Sequence, residues 1–241
     1  MNAIDLRNPI MPWENEIWAP EVLFRGETVV CIASGPSLTR QICEKIQVTR
    51  DAGRCKAIVV NSSCRLAPWA DVLYFTDNGW YEQRRELVAN WPGLVVSMSR
   101  LAKRELPAKV KRVKGCGDPS WPPRLPGMPK RLGFPEPGGP YLHQGRNSGN
   151  TAVSLAIAMG AARVLMVGYD CQIVGGREHH HDEYKGPRDT TIYDLEFRHA
   201  FNGWNEAALN SGVTILNCTP GSAIAEFPFA DLDQELACTA R

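Results

Sequence analysis

Six short apolar runs punctuate the chain, and most close on a polar or glycine-containing turn. Residues 28–33 (TVVCIA) run into Ser34-Gly35-Pro36-Ser37, residues 57–60 into Asn61-Ser62-Ser63, and residues 72–75 into Thr76-Asp77-Asn78-Gly79. Residues 94–97, 163–167 and 213–216 repeat the pattern, the last two ending at Gly168-Tyr169-Asp170 and Asn217-Cys218-Thr219. Near-continuous runs of β-branched residues suit strands buried on both faces, which is the condition of a parallel sheet. Helical spacing lies between them. Ser37 is positioned to cap a helix over 38–48, where Leu38, Ile42 and Ile46 recur every four residues. Further helices are predicted over 81–89, over 148–160 with its alanine-rich run ending at Gly160, and over 195–211 ahead of Gly212. Strands alternating with helices predict an α/β fold: a Rossmann-like, doubly wound, mostly parallel sheet with helices on both faces.

One region departs from the pattern. Residues 115–140 are crowded with proline and glycine, which excludes regular helix and interior strand. Both flanks read as parts of one sheet, so the expectation is a single nucleotide-binding domain over 1–241. The 115–140 segment is then a long loop or lid across the sheet edge. No internal repeat is visible.

Composition narrows the function classes. With 44% hydrophobic and 22% charged residues in 241, the chain is of ordinary globular composition. Its 27 basic and 26 acidic residues leave a net charge of +1, so no global field favours nucleic acid. The opening residues contain no basic leader followed by an apolar run. No stretch approaches the roughly 18 apolar residues of a spanning helix. These features predict a soluble cytoplasmic protein without membrane insertion. Cysteines at 31, 43, 55, 64, 116, 171, 218 and 238 form neither a C-x-x-C pair nor a zinc framework, and free thiols are expected. Cys171, just beyond a strand, is the one closest to a candidate site.

In an open parallel sheet, ligands gather at the carboxyl ends of the strands, and five strand ends carry polar or small residues suited to that: Ser34-Gly35, Asn61-Ser62, Asp77-Asn78, Gly168-Tyr169-Asp170 and Asn217-Thr219. Three clusters along the chain are candidate sites. Ser34, Gly35, Pro36 and Ser37 form a tight turn into a helix, where glycine permits close approach and free N–H groups attract an anion. The turn lacks the GxGxxG fingerprint and the lysine of a P-loop, so an ordinary strand-to-helix turn remains the alternative. Arg146, Asn147, Ser148 and Gly149 open the alanine-rich helix, a combination suited to phosphate or carboxylate; a solvated loop capped by Ser148 is the plainer reading. The third cluster is His179-His180-His181-Asp182-Glu183-Tyr184. It has no H-x-x-x-H metal spacing, and one histidine acting as general base or acid suits a group that titrates near neutrality. Alternatives are Mg²⁺ held by Asp170, Asp182 or Glu183 with ligand phosphates, or an exposed polar loop. Asn61 and Asp77 add polar groups at neighbouring strand ends. Trp69, Trp80, Trp91, Trp121 and Trp204 read as core or loop anchors, with base stacking as the alternative for Trp80 and Tyr81.

Four segments occur in this order: SGPSLT after the first strand, VVNSSCRLAPWADVLYFTD, GRNSGNTAVSLAIAMGAARVLMVGYDCQ, and HHHDEY. Over about residues 28–230 the layout resembles the archaeal 6-hydroxymethylpterin diphosphokinase family, the flagellin motility-accessory family, and short bacteriophage versions of both. More distantly it is similar to bacterial CMP-sialic acid-dependent sialyltransferases. The resemblance implies a nucleotide site lined by Ser34, Gly35 and Ser37 near Asn61. It also implies donor contacts from Arg146, Asn147, Ser148 and Gly149, flanking by Tyr169 and Asp170, and a base among His179, His180 and His181. The Arg-Asn-Ser-Gly loop is one residue shorter than its sialyltransferase counterpart and the histidine stands in a triplet, so no sialic acid donor is implied.

Three functions follow as expectations. The first is a nucleotide-sugar-dependent glycosyltransferase requiring no cofactor, acting on a modified DNA base or a glycan. The second is ATP-dependent diphosphoryl transfer to a hydroxymethyl, pterin-like acceptor. It needs Mg²⁺ and therefore Asp77, Asp170 and Asp182 converging on the phosphates. The third is a non-catalytic nucleotide-binding protein. A phage origin would place the protein in the host cytoplasm.

Overall fold

The computed structural model describes residues 17–99, 106–116, 134–139, 141–143, 147–183 and 191–238. Seven parallel strands form the central sheet: β1 (Thr28–Ile32), β2 (Lys56–Val60), β3 (Val72–Phe75), β4 (Leu94–Ser97), β5 (Val110–Arg112), β8 (Arg163–Val167) and β9 (Thr214–Asn217), in the order β5-β4-β3-β2-β1-β8-β9. A separate parallel pair joins β6 (Lys114–Cys116) to β7 (Tyr141–His143). All six runs read from the sequence are strands of the large sheet, with ends within about one residue of expectation.

Alternation along the strands divides the core into two layers. Val29 and Cys31 of β1 join Ile58, Tyr74 and Met166 under α4 (Ser148–Ala158) and α5 (Trp204–Asn210). Val30 and Ile32 join Val59, Phe75 and Leu165 under α1 (Arg40–Asp51), the short α2 (Asn78–Glu82) and α3 (Arg85–Ala89), and α6 (Leu232–Cys238). Helices therefore cover both faces, and the fold is a Rossmann-like doubly wound α/β sheet. From α4, Gly149 through Ala158 are all buried, which explains why this helix carries no charge on any side and is not amphipathic. Truncating a fully buried side chain there, such as Leu155→Ala, would cost about 2–5 kcal/mol.

Several local expectations are corrected. Helix α1 is capped by Thr39, whose hydroxyl accepts from the Ile42 N–H, and it runs to Asp51. Ser37 is engaged elsewhere, and Leu38 is buried in the core ahead of the helix. The cap of α4 is Asn147, accepting from the Asn150 N–H at 2.7 Å, rather than Ser148. The predicted helix over 81–89 is two short helices. That over 195–211 is a π turn (Tyr193–Phe197), a 3₁₀ turn (Arg198–Phe201) and α5. Gly203, at φ +79°, separates the last two. Of the proline-rich segment, Gly115 and Cys116 belong to β6. Residues 117–133 and 140 lie outside the described residues, as do Trp121, Arg146 and Tyr184.

The winding reverses at β1, which pairs with β2 on one side and β8 on the other. The carboxyl ends of β1 and β8 thus form the switch-point crevice where open α/β sheets take ligands.

Candidate functional site

At the switch point the turn after β1 is latched to the end of β8. The Ser37 backbone N–H donates to Asp170 Oδ1 at 3.1 Å, and the Ser37 hydroxyl donates to Oδ2 at 2.8 Å. Gly35 N–H donates to the Gly168 carbonyl at 2.8 Å. A β-carbon on Gly35 would lie 1.9 Å from Asp170 Oδ2 and 2.5 Å from the Gly168 carbonyl, so only glycine fits. Gly168 itself has φ +73° and no room beside the Ala33 carbonyl. Asp170 is only 2% exposed. Burial pushes its carboxyl above the ordinary range, and the hydrogen bonds from Ser37 only partly offset that. Ser34, Gly35, Pro36 and Ser37 remain half-buried at the crevice.

Strain marks the neighbouring strand ends. Among the described residues, only Asn61 and Cys171 are non-glycine residues with positive φ, both at +48°. They stand just beyond β2 and some four residues beyond β8, on the same edge of the sheet. The Asn61 side-chain carbonyl is also buried without a hydrogen-bond donor. Strained backbone and an unsatisfied acceptor at a strand terminus are features that sites accumulate.

The histidine loop is drawn over this edge by an ionic cluster. Glu183, 14% exposed at its side chain, pairs with Arg65 at 2.6 Å and with the buried Arg84, and accepts from the Ser62 hydroxyl. Ser62 in turn accepts from the Trp80 indole N–H at 2.8 Å. Burial pushes the Glu183 carboxyl up, but Ser62, Arg84 and Arg65 together outweigh it and hold the group below its usual value. Next to this cluster the His180 backbone N–H donates to the Ser34 carbonyl at 3.1 Å, and its Nε2 lies 3.1 Å from Ser63 Oγ. Ser63 donates its single proton to the Ala33 carbonyl at 3.0 Å. The neutral His180 ring must therefore carry its proton on Nε2 and donate to Ser63, leaving Nδ1 as the basic nitrogen. His181 Nδ1 accepts from the Glu183 N–H at 3.3 Å. His179 stacks on His181, with ring centroids 5.2 Å apart. Burial, reinforced by the neighbouring rings, lowers both His180 and His181 to about 4. Both are uncharged at neutral pH.

The other expected residues divide by placement. Ser148 Oγ lies 3.0 Å from Thr76 Oγ1, joining the start of α4 to the end of β3. Tyr169 is buried, its hydroxyl donating to the Gly149 carbonyl at 3.0 Å. Gly149 packs so tightly on that ring that a β-carbon would lie 2.8 Å from Cε1. Asp77 is exposed and caps α2 through the Trp80 N–H at 2.7 Å. Asp182 is 94% exposed, with Arg177 3.8 Å away. Trp80 and Tyr81 are 3% and 2% exposed, so they serve the core and offer no open stacking face.

No cluster of three or more histidine, cysteine or acidic side chains that would hold a metal occurs among the described residues. Both Asp170 oxygens accept from Ser37, Glu183 is neutralised by two arginines, and Asp77 and Asp182 serve separate elements. These carboxylates do not form one donor set for Mg²⁺. The cysteines at 31, 43, 55, 64, 171, 218 and 238 are free thiols. Burial pushes Cys171 up to about 12, so it is not an activated thiolate. No helix among the described residues is long and apolar enough to cross a membrane.

The sequence placed Ser62 at a strand end with ligand-binding potential but gave it no partner, and it missed Ser63, Arg65 and Arg84 as parts of this edge. Ser62 and Ser63 directly follow a predicted strand, which was the available signal. The arginines carry no local pattern that separates them from surface charge. No family model, curated protein or solved structure matches the chain.

Proposed function

We propose that the chain is a nucleotide-sugar-dependent glycosyltransferase working without a metal, with His180 as general base. The observation that carries this reading is His180 at the switch-point crevice, its backbone N–H on the Ser34 carbonyl and its uncharged imidazole on Ser63. The donor would approach the Ser34–Ser37 turn, where Gly35 permits close backbone contact, and its phosphates would rest against the first turn of α4, whose positive end favours negative charge.

During transfer the anomeric carbon–oxygen bond to phosphate breaks and the nucleotide leaves with the electron pair. The acceptor hydroxyl oxygen bonds to the anomeric carbon and gives its proton to His180 Nδ1. The backbone dipole at the start of α4 stabilises the charge developing on the leaving phosphate. An imidazole lowered to about 4 is a weak base in the empty site, and an adjacent phosphate raises it toward the useful range. The separate duties of Asp77, Asp170 and Asp182 favour this reading over Mg²⁺-dependent diphosphoryl transfer.

The test is slow donor hydrolysis, in which water replaces the acceptor. Free nucleotide released from CMP-, UDP- and GDP-sugars is measured for the wild type and for His180→Gln. Release by the wild type that falls at least tenfold in the variant, with nucleotide affinity kept, supports the assignment. Equal release by both removes His180 from the chemistry.

A further inference from the structure

The edge strand β5 ends in a buried arginine that meets no carboxylate among the described residues. Arg112 is 8% exposed, and its Nε and Nη1 are buried without a hydrogen-bond partner. No ion pair of this side chain occurs among the described residues. Leaving a desolvated guanidinium unpaired costs several kcal/mol in the empty protein, so its position calls for an anion.

Polar side chains gather at the same end of the sheet. In register, Arg112 pairs with Ser97 of β4, which pairs with Phe75 of β3, placing the three on the α2 face of the sheet. Ser97 is fully buried, and its hydroxyl accepts from the Ser99 N–H at 2.9 Å. The Ser99 hydroxyl donates to Asn78 Oδ1 at 2.6 Å. That bond fixes the Asn78 amide with its carbonyl turned toward Ser99 and its two N–H donors directed elsewhere. Hydrogen bonds thus link Asn78, Ser99 and Ser97, and Arg112 stands beside Ser97 in register at the carboxyl ends of β3, β4 and β5.

We propose that Arg112, aided by the Asn78 amide, binds a carboxylate or phosphate group at the carboxyl ends of β3–β5. This makes a second anion site apart from the β1–β8 crevice. Adjacent strands lie about 4.8 Å apart, so β5 stands on the order of 19 Å from β1, beyond the phosphates of a nucleotide held at the switch point. As the pocket for an anionic group on the acceptor, the site rests on the transferase reading; as an anion site, it stands without it. A planar guanidinium suits bidentate binding of either group.

Thermal unfolding in increasing inorganic phosphate, and separately succinate, at constant ionic strength tests the site. The wild type is expected to show a saturable rise in Tm with at least one of the two anions. Arg112→Met should weaken the apparent affinity at least tenfold, Arg112→Lys less, and Asn78→Ala severalfold. If Arg112→Met does not fold, Arg112→Lys and Asn78→Ala carry the comparison. Unchanged anion responses in the variants that fold, or a wild-type response that never saturates, would overturn the proposal. Nucleotide titrations of the same proteins keep the two readings apart: nucleotide stabilisation retained in the Arg112 and Asn78 variants means that a loss of anion response belongs to this site alone.

Discussion

Asp170 and Ser37, 133 residues apart in the chain, are joined by two hydrogen bonds, through the Ser37 backbone N–H and its hydroxyl. The contact ties the turn after β1 to the end of β8 and shapes the crevice between them. Asp170→Ala would strand two donors beside the crevice, and a loss of about 2–4 kcal/mol is expected. Asp170→Asn keeps an acceptor for the Ser37 N–H and should lose roughly half as much. Urea denaturation of the two variants measures the difference; equal, small losses would show that the latch contributes little.

Stability should fall on mild acidification. His180 and His181 are lowered from 6.5 to about 4 in the folded chain, so the unfolded state binds the extra protons first. Their contribution is complete above about pH 6.5 and is lost as pH falls toward 4. Allowing for partial solvent contact, about 1 kcal/mol per ring corresponds to a fall in Tm of roughly 5 °C across that window. The double variant His180→Asn/His181→Asn should flatten the curve between pH 6.5 and 4. A wild-type curve already flat there would contradict the burial argument.

Glu183 anchors the histidine loop, and its removal should separate chemistry from binding. Glu183→Gln leaves Arg65 and Arg84 without their carboxylate, at a cost of roughly 1–3 kcal/mol for a partly solvated cluster. The His180 ring then loses its fixed position, so donor hydrolysis should drop about tenfold while nucleotide affinity changes less than threefold. Its depressed carboxyl adds stability that is present above the ordinary carboxylate value and disappears as pH falls through the lowered one. Glu183→Gln should accordingly lessen the loss of stability at the acid end of the limb.

The strands were legible because runs such as 28–33 and 163–167 are apolar without interruption and end on polar turns, a local signal. The caps were not. Ser37 satisfies every local rule for an N-cap, yet its hydroxyl is recruited by Asp170 from another strand, and Thr39 takes the role. Strands β5, β6 and β7 are three residues each, too short to show a period. The histidine triplet stood out in the sequence, but its individual rings differ through contacts with Ser63 and with the Glu183 backbone, supplied from distant or folded chain. Arg112 reads as an ordinary charged residue until its burial is seen.

The most direct measurement is the change in Tm with CMP, UDP, GDP and ATP, each with and without Mg²⁺, for the wild type and Gly35→Ala. The variant's β-carbon would collide with Asp170 Oδ2, so the crevice cannot keep its shape. A metal-independent rise in Tm with CMP, UDP or GDP, absent in a folded Gly35→Ala protein, is the predicted result. No rise with any nucleotide, or a rise with ATP alone that requires Mg²⁺, would contradict the account.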